Sequence, residues 1–326
     1  MRPATLADAE AVVALFNTCT IEQAGVPLHD LNELKTDWED PQFNLETDSR
    51  VVIAPDGTLA GAMHLWDRDP HVRVYAQGYV HPDYQGQGIG SALCAWSEMR
   101  TQQAISRAPE GTRVVMVQGI LTTDAAAQAL LEARGYQTVR YFSRMIIEMA
   151  ELPPEPVPPE GIVIRPFIRG KEERAMILAE RESFRDHWGF VEHPLEETYE
   201  TWMHLLDNNP DIDPKLWFAA VDGEEIAGLL VCFPKTPEDP EMAYVDTLGV
   251  RRAWRRRGLG LAMLQHAFRA CYERGKHKVA LEVDSSSLTG ATRLYEKAGM
   301  HVQRQEVNYE KELRPGKDLS TQTLEA

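Results

Sequence analysis

Tyr244-Val245-Asp246-Thr247-Leu248-Gly249-Val250 is the segment from which the fold can be inferred. Its β-branched and apolar residues predict a strand. Residues 251–260 follow and contain two closely spaced glycines, and residues 261–274 have apolar side chains at helical spacing. A strand, a glycine turn and a helix N-terminus together present backbone N–H groups and a partial positive charge. The segment therefore predicts an anion site, most naturally for a phosphate group.

The turn itself is Arg255-Arg256-Arg257-Gly258-Leu259-Gly260. It lacks the Gly-Lys-Ser/Thr end of a Walker loop and the third glycine of a Rossmann loop. The remaining pattern, Arg-x-x-Gly-x-Gly, resembles the loop that binds the pyrophosphate of acetyl-CoA in the GNAT acetyltransferase superfamily. The resemblance implies that this turn binds coenzyme A and that Leu248, Gly249 and Val250 lie along its pantetheine arm. A basic loop that merely caps a helix is the alternative.

A second pattern strengthens the resemblance. Residues 279–284 predict a strand, and residues 289–300 contain Leu-Tyr-Glu-x-x-Gly-Met, which resembles the second GNAT signature. Ser287 stands where the family commonly has an asparagine, so we expect it to bind the cofactor with fewer hydrogen-bond donors. The resemblance implies an α/β fold with a mixed sheet, in which two central strands part to admit the pantetheine arm.

The first half of the chain resembles the second. An Arg-Pro pair precedes the first helix of each half, and Gln85-Gly86-Gln87-Gly88-Ile89-Gly90 corresponds to the basic turn. A repeat of this length indicates two whole domains. We therefore predict two tandem GNAT domains of the α/β class, residues 1–150 and 162–314. A Pro-rich linker, residues 151–161, joins them, and a flexible tail, residues 315–326, follows.

The composition is that of an ordinary globular protein: of 326 residues, 43% are apolar and 26% are charged. The net charge of −16 opposes nucleic acid binding, which depends on neutralising phosphates. No apolar run approaches the ~20 residues of a membrane span, and no secretory core follows the N-terminus. The four scattered cysteines predict buried free thiols. We expect a cytoplasmic monomer or homodimer that binds no metal, nucleic acid or membrane.

The tyrosine of the second signature distinguishes the two halves. In the family it lies near the sulfur of coenzyme A, and here that position is Tyr295 in the second half and Leu131 in the first. A phenol can donate a hydrogen bond to a departing thiolate, whereas a leucine cannot. We expect a catalytic C-terminal domain and a catalytically degenerate N-terminal domain. Residues 85–90 offer backbone amides but no arginines, which predicts weaker cofactor binding there.

Two acids are candidates for the general base. Asp246 is the first, because alternation along a strand puts it on the face of Leu248 and Val250. Glu241, just before the strand, is the second, and the family often has a glutamate where Tyr244 stands. An aspartate that only binds water or a backbone amide is an equal alternative.

The cluster Asp186-His187-Trp188 lies near a helix end at Gly189, in the region where GNAT enzymes bind the acceptor. An ordinary helix end is an equal alternative. The sequence thus predicts an acetyl-CoA-dependent N-acetyltransferase that acts on a small polar amine by direct attack in a ternary complex, because no cysteine falls in the motifs. The layout is similar to that of the mycothiol synthases, a tandem GNAT family. A non-catalytic acyl-CoA sensor and a protein-lysine acetyltransferase are the other interpretations.

Overall fold

The computed structural model describes residues 1–323, which divide into two compact units. The first unit contains Met1–Arg140 and Glu306–Leu319, and the second contains Tyr141–Gln305 and the residues from Ser320 onward. Each unit is a mixed sheet covered by helices, which confirms the predicted α/β class. Residues 324–326, the end of the expected tail, lie outside the described residues.

The first unit has the strand order β1-β2-β3-β4-β11, in which β3 and β4 are parallel and the other neighbours antiparallel. Helices α1 and α2 cover one face around Phe16 and Trp38, and α4 and α5 cover the other around Leu93 and Leu131. The elements are α1 (Ala9–Ala24), α2 (Leu31–Trp38), α3 (Leu45–Asp48), β1 (Ser49–Ile53), β2 (Leu59–Asp67), β3 (Arg73–Val80), α4 (Ile89–Ile105), β4 (Val114–Leu121), α5 (Ala125–Ala133) and β11 (His301–Arg314). Of β11, only the residues from Glu306 onward belong to this unit.

The second unit repeats this plan with the order β6-β7-β8-β9-β10-β5, in which β9 and β10 are the parallel pair. Helices α6 and α7 pack around Trp217 on one face, and α8 and α9 pack around Phe268 on the other. The elements are β5 (Gln137–Glu148), β6 (Ile162–Pro166), α6 (Glu173–Phe184), α7 (Leu195–Asn208), β7 (Phe218–Asp222), β8 (Glu225–Phe233), β9 (Met242–Val250), α8 (Leu259–Tyr272), β10 (Lys278–Asp284) and α9 (Ala291–Lys297). Of β5, only the residues from Tyr141 onward belong to this unit.

The last strand of each sequence repeat lies in the sheet of the other repeat. Residues 142–148 of β5 pair with β10 in the second unit, and residues 306–314 of β11 pair with β4 in the first. The units therefore divide at residues 140/141 and 305/306, whereas the sequence suggested borders at 150 and 162. Repeats in the sequence show which elements recur, but they carry no information on which sheet edge a terminal strand joins.

The segments expected as linker and tail have defined contacts. Pro153, in the Pro-rich segment, accepts a hydrogen bond from Arg269 at 3.0 Å. Lys317 donates its backbone N–H to Gly111 at 2.8 Å, and Thr321 exchanges backbone hydrogen bonds with residues 189 and 190. The described part of the tail thus follows the surfaces of the two units.

Three further features are the state of the cysteines, the search for metal-binding groups and the search for membrane-spanning helices. The four cysteines are buried free thiols, as expected. Residues 1–323 contain no group of three or more His, Cys, Asp or Glu residues placed to hold a metal ion. Within the same residues, no helix combines the length and the apolar character needed to cross a bilayer.

The strand exchange predicts how fragments will behave. A fragment of residues 1–140 lacks both β11 and residues 142–148 of β5 and leaves the β4 edge unpaired, so we expect it to aggregate or to unfold below the midpoint of the whole chain. The same fragment joined by a Gly/Ser linker to residues 301–319 should regain solubility and a cooperative transition, measured by circular dichroism on heating. Equal stability of the two fragments would contradict the assignment of β11 to the first unit.

Candidate active site

The parallel strands β9 and β10 lie side by side over only part of their length. Residues 242–245 pair with residues 278–281, and beyond these the strands part. β9 continues along β8 to Val250, and β10 continues along β5 to Asp284. Between them opens a gap, called here the fork, where the backbone of β9 has no strand partner among the described residues on the β10 side. The fork is the parting of strands that the resemblance implied.

The basic turn connects β9 to α8 and has the geometry of an anion site. Gly258, the N-cap of α8, has a φ of 87°, and Arg256 has a φ of 61°. The first turn of α8 contains no acidic residue, so its N–H groups and the helix dipole favour an anion. A Cβ on Gly260 would lie 3.2 Å from Cδ2 of Leu294, so the missing side chain lets α8 approach α9 closely.

Arg255 anchors this turn to the end of α6. Its guanidinium donates to the carbonyl of Val250 at 2.9 Å and to that of Ser183 at 2.8 Å, and it forms an ion pair with Asp186. Arg252 pairs with the same carboxylate at 2.5 Å. The two guanidinium groups hold the pKa of the buried Asp186 carboxyl below its usual range. Asp186, expected to bind the acceptor, is thus engaged in fixing the turn.

The other arginines of the turn point to a ligand. Arg256 and Arg257 are exposed, and within residues 1–323 neither makes a hydrogen bond or an ion pair. A non-glycine residue with positive φ is strained, and such strain tends to occur at functional sites. These two guanidinium groups are therefore accessible to an anionic ligand, and their contact with coenzyme A stays a prediction.

His187 and Trp188 belong to the segment that follows α6. The His187 ring packs on Phe184 with centroids 4.5 Å apart, and burial lowers the pKa of His187. Trp188 donates its Nε1–H to Oε1 of Gln322 at 2.9 Å. These contacts fix the segment without pointing to an acceptor, so the acceptor role of both residues stays a prediction.

Tyr295 lies on α9 in the apolar cluster that also contains Leu259, and the side chains of Leu248 and Val250 pack against this cluster. Burial raises the pKa of Tyr295 to about 12. No residue within 1–323 makes a hydrogen bond to its hydroxyl, which is consistent with a donor awaiting a ligand. Ser287 is used locally, because its Oγ accepts the N–H of Ala291 at 3.3 Å.

Asp246 stands on a β-bulge at the start of the fork. Thr247 pairs with Val231 and Val245 pairs with Cys232, so Asp246 is an extra residue without an opposite partner. Simple alternation, which put Asp246 on the face of Leu248 and Val250, therefore does not hold here. The carboxylate keeps access to solvent, but protein surrounds it on most sides and raises its pKa.

Glu241 lies at the other end of β9, where β9 and β10 are still paired. It is exposed and five residues before Asp246, which corresponds to about 16 Å of strand. The structure does not bring Glu241 to the fork.

The structure adds an acid that the sequence analysis missed. Glu180 lies on α6, and burial together with the charge of Asp246 raises its pKa to about 8. One signal was present in the sequence: Glu180 follows Met176 by four residues, on the stripe of α6 that Ile177 and Ser183 also occupy. A glutamate on the apolar stripe of a helix is unusual, because burying its charge is costly.

The first unit has the same fork without the same chemistry. β3 and β4 part after Ala76 and Gln118, and the turn formed by residues 85–90 again places a glycine, Gly88 at φ 83°, at a helix N-cap. A cavity of about 490 Å³ extends from this turn to Gln118 and Leu131. β3 pairs with β2 without a bulge, so no acid corresponds to Asp246.

A sequence model described as the acetyltransferase (GNAT) family matches residues 10–136 and 176–300. The chain belongs to this family. Its members use acetyl-CoA, and the match to both halves confirms the two GNAT repeats. This acetyltransferase thus has one family match on each side of the Pro-rich segment.

Its relatives agree with this assignment. The mycothiol acetyltransferase of Streptomyces scabiei is 29% identical over 269 residues, which cover 80% of this chain and 79% of the relative. That of Thermobispora bispora is 29% identical over 303 residues, covering 90% and 93%. The family and these relatives make the chain an N-acetyltransferase.

Solved structures show the same architecture. The crystal structure of a GCN5-related N-acetyltransferase from Sphaerobacter thermophilus superposes with a TM-score of 0.79 at 35% identity, covering 99% of this chain and 98% of that one. A tandem GNAT protein from the clavulanic acid biosynthesis pathway gives a TM-score of 0.66 at 16% identity, covering 97% and 98%, and supports the fold alone.

The strained arginine gives a testable trade-off between stability and binding. Arg256→Gly and Arg256→Ala both remove the charge, so each should weaken acetyl-CoA binding about tenfold. Only the glycine accepts the positive φ without strain, so Arg256→Gly should be about 1 kcal/mol more stable than Arg256→Ala. Calorimetric titration and urea unfolding measure the two effects. If the two variants unfold at the same urea concentration, residue 256 is not held in the left-handed region.

Proposed function

We propose that the second unit transfers an acetyl group from acetyl-CoA to a small polar amine by direct attack in a ternary complex. One observation supports it above the others: groups suited to acyl transfer gather around the fork of this unit. They are the basic turn of residues 255–260, the side chain of Tyr295, which lies in the apolar cluster that Leu248 and Val250 pack against, and Asp246 on its bulge. The first unit has Leu131 at the position of Tyr295 and, among the described residues, no acid on β3 that corresponds to Asp246, so we assign it no catalysis.

The proposed reaction begins with the pyrophosphate of acetyl-CoA at the N-terminus of α8. This position aims the thioester into the fork, where backbone N–H groups near Leu248 can donate to the carbonyl oxygen and stabilise the tetrahedral oxyanion. The acceptor nitrogen attacks the carbonyl carbon, and collapse of the intermediate breaks the C–S bond. The amine must be neutral to attack, which requires a base because a free alkyl amine has a pKa of about 10.4.

Tyr295 is proposed to stabilise the departing thiolate. With its pKa raised to about 12, complete proton transfer to a thiolate of pKa about 8.5 would be uphill by roughly 5 kcal/mol. A hydrogen bond from the phenol to the sulfur avoids that cost while still lowering the energy of the leaving group. We therefore assign Tyr295 a hydrogen-bonding role, with the proton reaching the sulfur later.

The acceptor is proposed from the relatives. Several of them carry the name mycothiol acetyltransferase, so mycothiol lacking its acetyl group is the first amine to test. Tyr244 stands where the family often has a glutamate, and this difference makes other small polar amines worth including in the same panel.

The role of Tyr295 can be tested by one substitution and a matched control. We expect Tyr295→Phe to lower kcat by about 10- to 100-fold, because the hydrogen bond forms to charge that develops in the transition state. The dissociation constant of acetyl-CoA should hardly change. Tyr136→Phe, a buried tyrosine of the first repeat, is the control and should keep the wild-type rate. Release of free CoA measures turnover, and an unchanged kcat in Tyr295→Phe would contradict the assignment.

We also propose that the first unit holds a second coenzyme A without catalysis. Its cavity, the glycine turn of residues 85–90 and the helix N-terminus support this, whereas the missing arginines predict weaker binding. Calorimetry should show one tight site and one weaker site for acetyl-CoA, and Arg256→Gly should weaken the tight site alone. Two tight and equal sites, or loss of both sites in Arg256→Gly, would contradict this proposal.

A further inference from the structure

Helix α6 crosses β9 beside the fork and presents polar groups to it. A Cβ on Gly249 would lie 2.9 Å from Cβ of Ser183, so the helix rests directly on the strand at this point. Glu180 is one helical turn before Ser183 and therefore on the same side of α6. The Oγ of Ser183 is buried without a hydrogen-bond partner, and within the described chain the Glu180 carboxylate makes neither a hydrogen bond nor an ion pair.

Asp246 and Glu282 stand opposite each other across the fork. Each is the first residue of its strand after the last β9–β10 pair, Val245 with Leu281. Asp246 lies close enough to Glu180 for its charge to disfavour ionisation of the helix carboxyl. Glu180 therefore lies within range of the charge of a second acid, which stands where the strands begin to part.

Other charges around the two carboxyls come from three elements. Arg181, on α6 itself, favours ionisation of Glu180. Glu282, on β10, opposes ionisation of Asp246. Arg144, on β5, lies 3.6 Å from Glu282 and also binds Glu238 at 2.6 Å, so its charge is already shared.

The first unit lacks this pair at the equivalent positions. Arg2 and Asp8 form a two-point ion pair at the start of α1, and Arg165 and Glu172 form the same pair at the start of α6. Asp8 and Glu172 are the N-cap residues of their helices. Eight residues after the N-cap stands Phe16 in the first unit and Glu180 in the second, so the acid occurs only in the unit that also has Asp246 and Tyr295.

We propose that Glu180 is the general base of the transfer and that it holds a proton, beside the ionised Asp246, until the acceptor arrives. The proposal rests on the acetyl transfer proposed above and adds the residue that prepares the amine. In the free unit one carboxyl is ionised and the other protonated. The ammonium group of the acceptor displaces the proton of Glu180 to solvent and binds between the two carboxylates.

Glu180 takes one proton from the bound ammonium, and the freed lone pair forms the C–N bond to the acetyl carbon. The second proton leaves the nitrogen for Asp246 as the intermediate collapses, and the C–S bond pair leaves with the sulfur, held by the hydroxyl of Tyr295. Of the two protons lost by nitrogen, one ends on the CoA thiol and the other stays on Glu180, which restores the free unit. The single proton released per turnover is the one displaced when the ammonium group bound.

The difference in pKa between the ammonium group and its base favours Glu180 over an ordinary carboxylate. An alkyl ammonium has a pKa of about 10.4, so transfer to a glutamate of pKa about 4.3 is unfavourable by roughly a millionfold. Transfer to Glu180, whose pKa is raised to about 8, is unfavourable by only a few hundredfold. Burial beside a like charge therefore turns a weak base into one suited to this step.

The kinetic test compares Glu180→Gln, Asp246→Asn and a control, Glu196→Gln, which alters an exposed acid paired with Arg174. CoA release is followed from pH 6 to 10 with deacetylated mycothiol, glucosamine and cysteamine as acceptors. We expect kcat/KM of the wild type to rise towards a plateau above about pH 8, and Glu180→Gln to lose this inflection and about 100-fold in rate near pH 8. Its acetyl-CoA affinity and the control should match the wild type. A Glu180→Gln enzyme that keeps the wild-type rate and inflection would overturn the proposal.

A second measurement needs no acceptor. Because the pKa of Glu180 is higher in the folded protein than in the unfolded chain, the wild type should lose stability as pH rises from about 4.5 to about 8. Glu180→Gln carries no such proton, so its unfolding temperature relative to the wild type should increase over this range, while that of Glu196→Gln stays level. A relative unfolding temperature for Glu180→Gln that stays constant or falls would show an ionised structural glutamate and overturn the proposal. A wild type that acetylates none of the three amines would instead count against the proposed function. The unfolding temperatures would then still show whether Glu180 is protonated beside Asp246.

Discussion

The parting of two parallel strands is the constraint on which the rest of the site depends. A strand that loses its neighbour leaves backbone N–H and C=O groups that must find other partners. In the second unit this happens after Val245 and Leu281, and in the first after Ala76 and Gln118. Because both units have the opening, the fork belongs to the fold and does not by itself make a catalyst. It supplies a place where an extended ligand can pair with a strand.

The proposed acetyl transfer depends on a few differences between the two units around the fork. One inserted residue in β9 forms the bulge that carries Asp246, and α6 brings Glu180 to the same region. The second unit also accepts a strained Arg256 where the first has Gly86, whose φ of 71° causes no strain. A half-buried acid (Glu180), a buried hydroxyl without a hydrogen-bond partner (Ser183) and a strained backbone (Arg256) all reduce stability, and all three occur in the second unit. Such a concentration is expected where function, rather than folding, determines the residues.

The sequence revealed the parts of this site that are local in the chain. The turn before Gly258 and the helix of Tyr295 were found because strand, turn and helix follow one another within a short segment. The environment of Asp246 could not be found this way, since a bulge depends on the partner strand and breaks the alternation from which faces are inferred. Glu180 was missed for a related reason: its importance comes from a strand more than sixty residues later in the chain, and helical periodicity shows burial but not the neighbour.

The strand exchange shows the same limit at the scale of whole units. Internal similarity correctly indicated two repeats, but β11 completes the sheet of the first unit although it follows the second repeat in sequence. An unpaired edge strand is satisfied equally well by any strand of suitable length, because ladder hydrogen bonds use the backbone. Which strand fills the edge is therefore decided by how the chain is connected rather than by side-chain pattern. In this chain each unit consequently takes residues from the other repeat to complete its sheet, so neither repeat by itself contains all the strands of one unit.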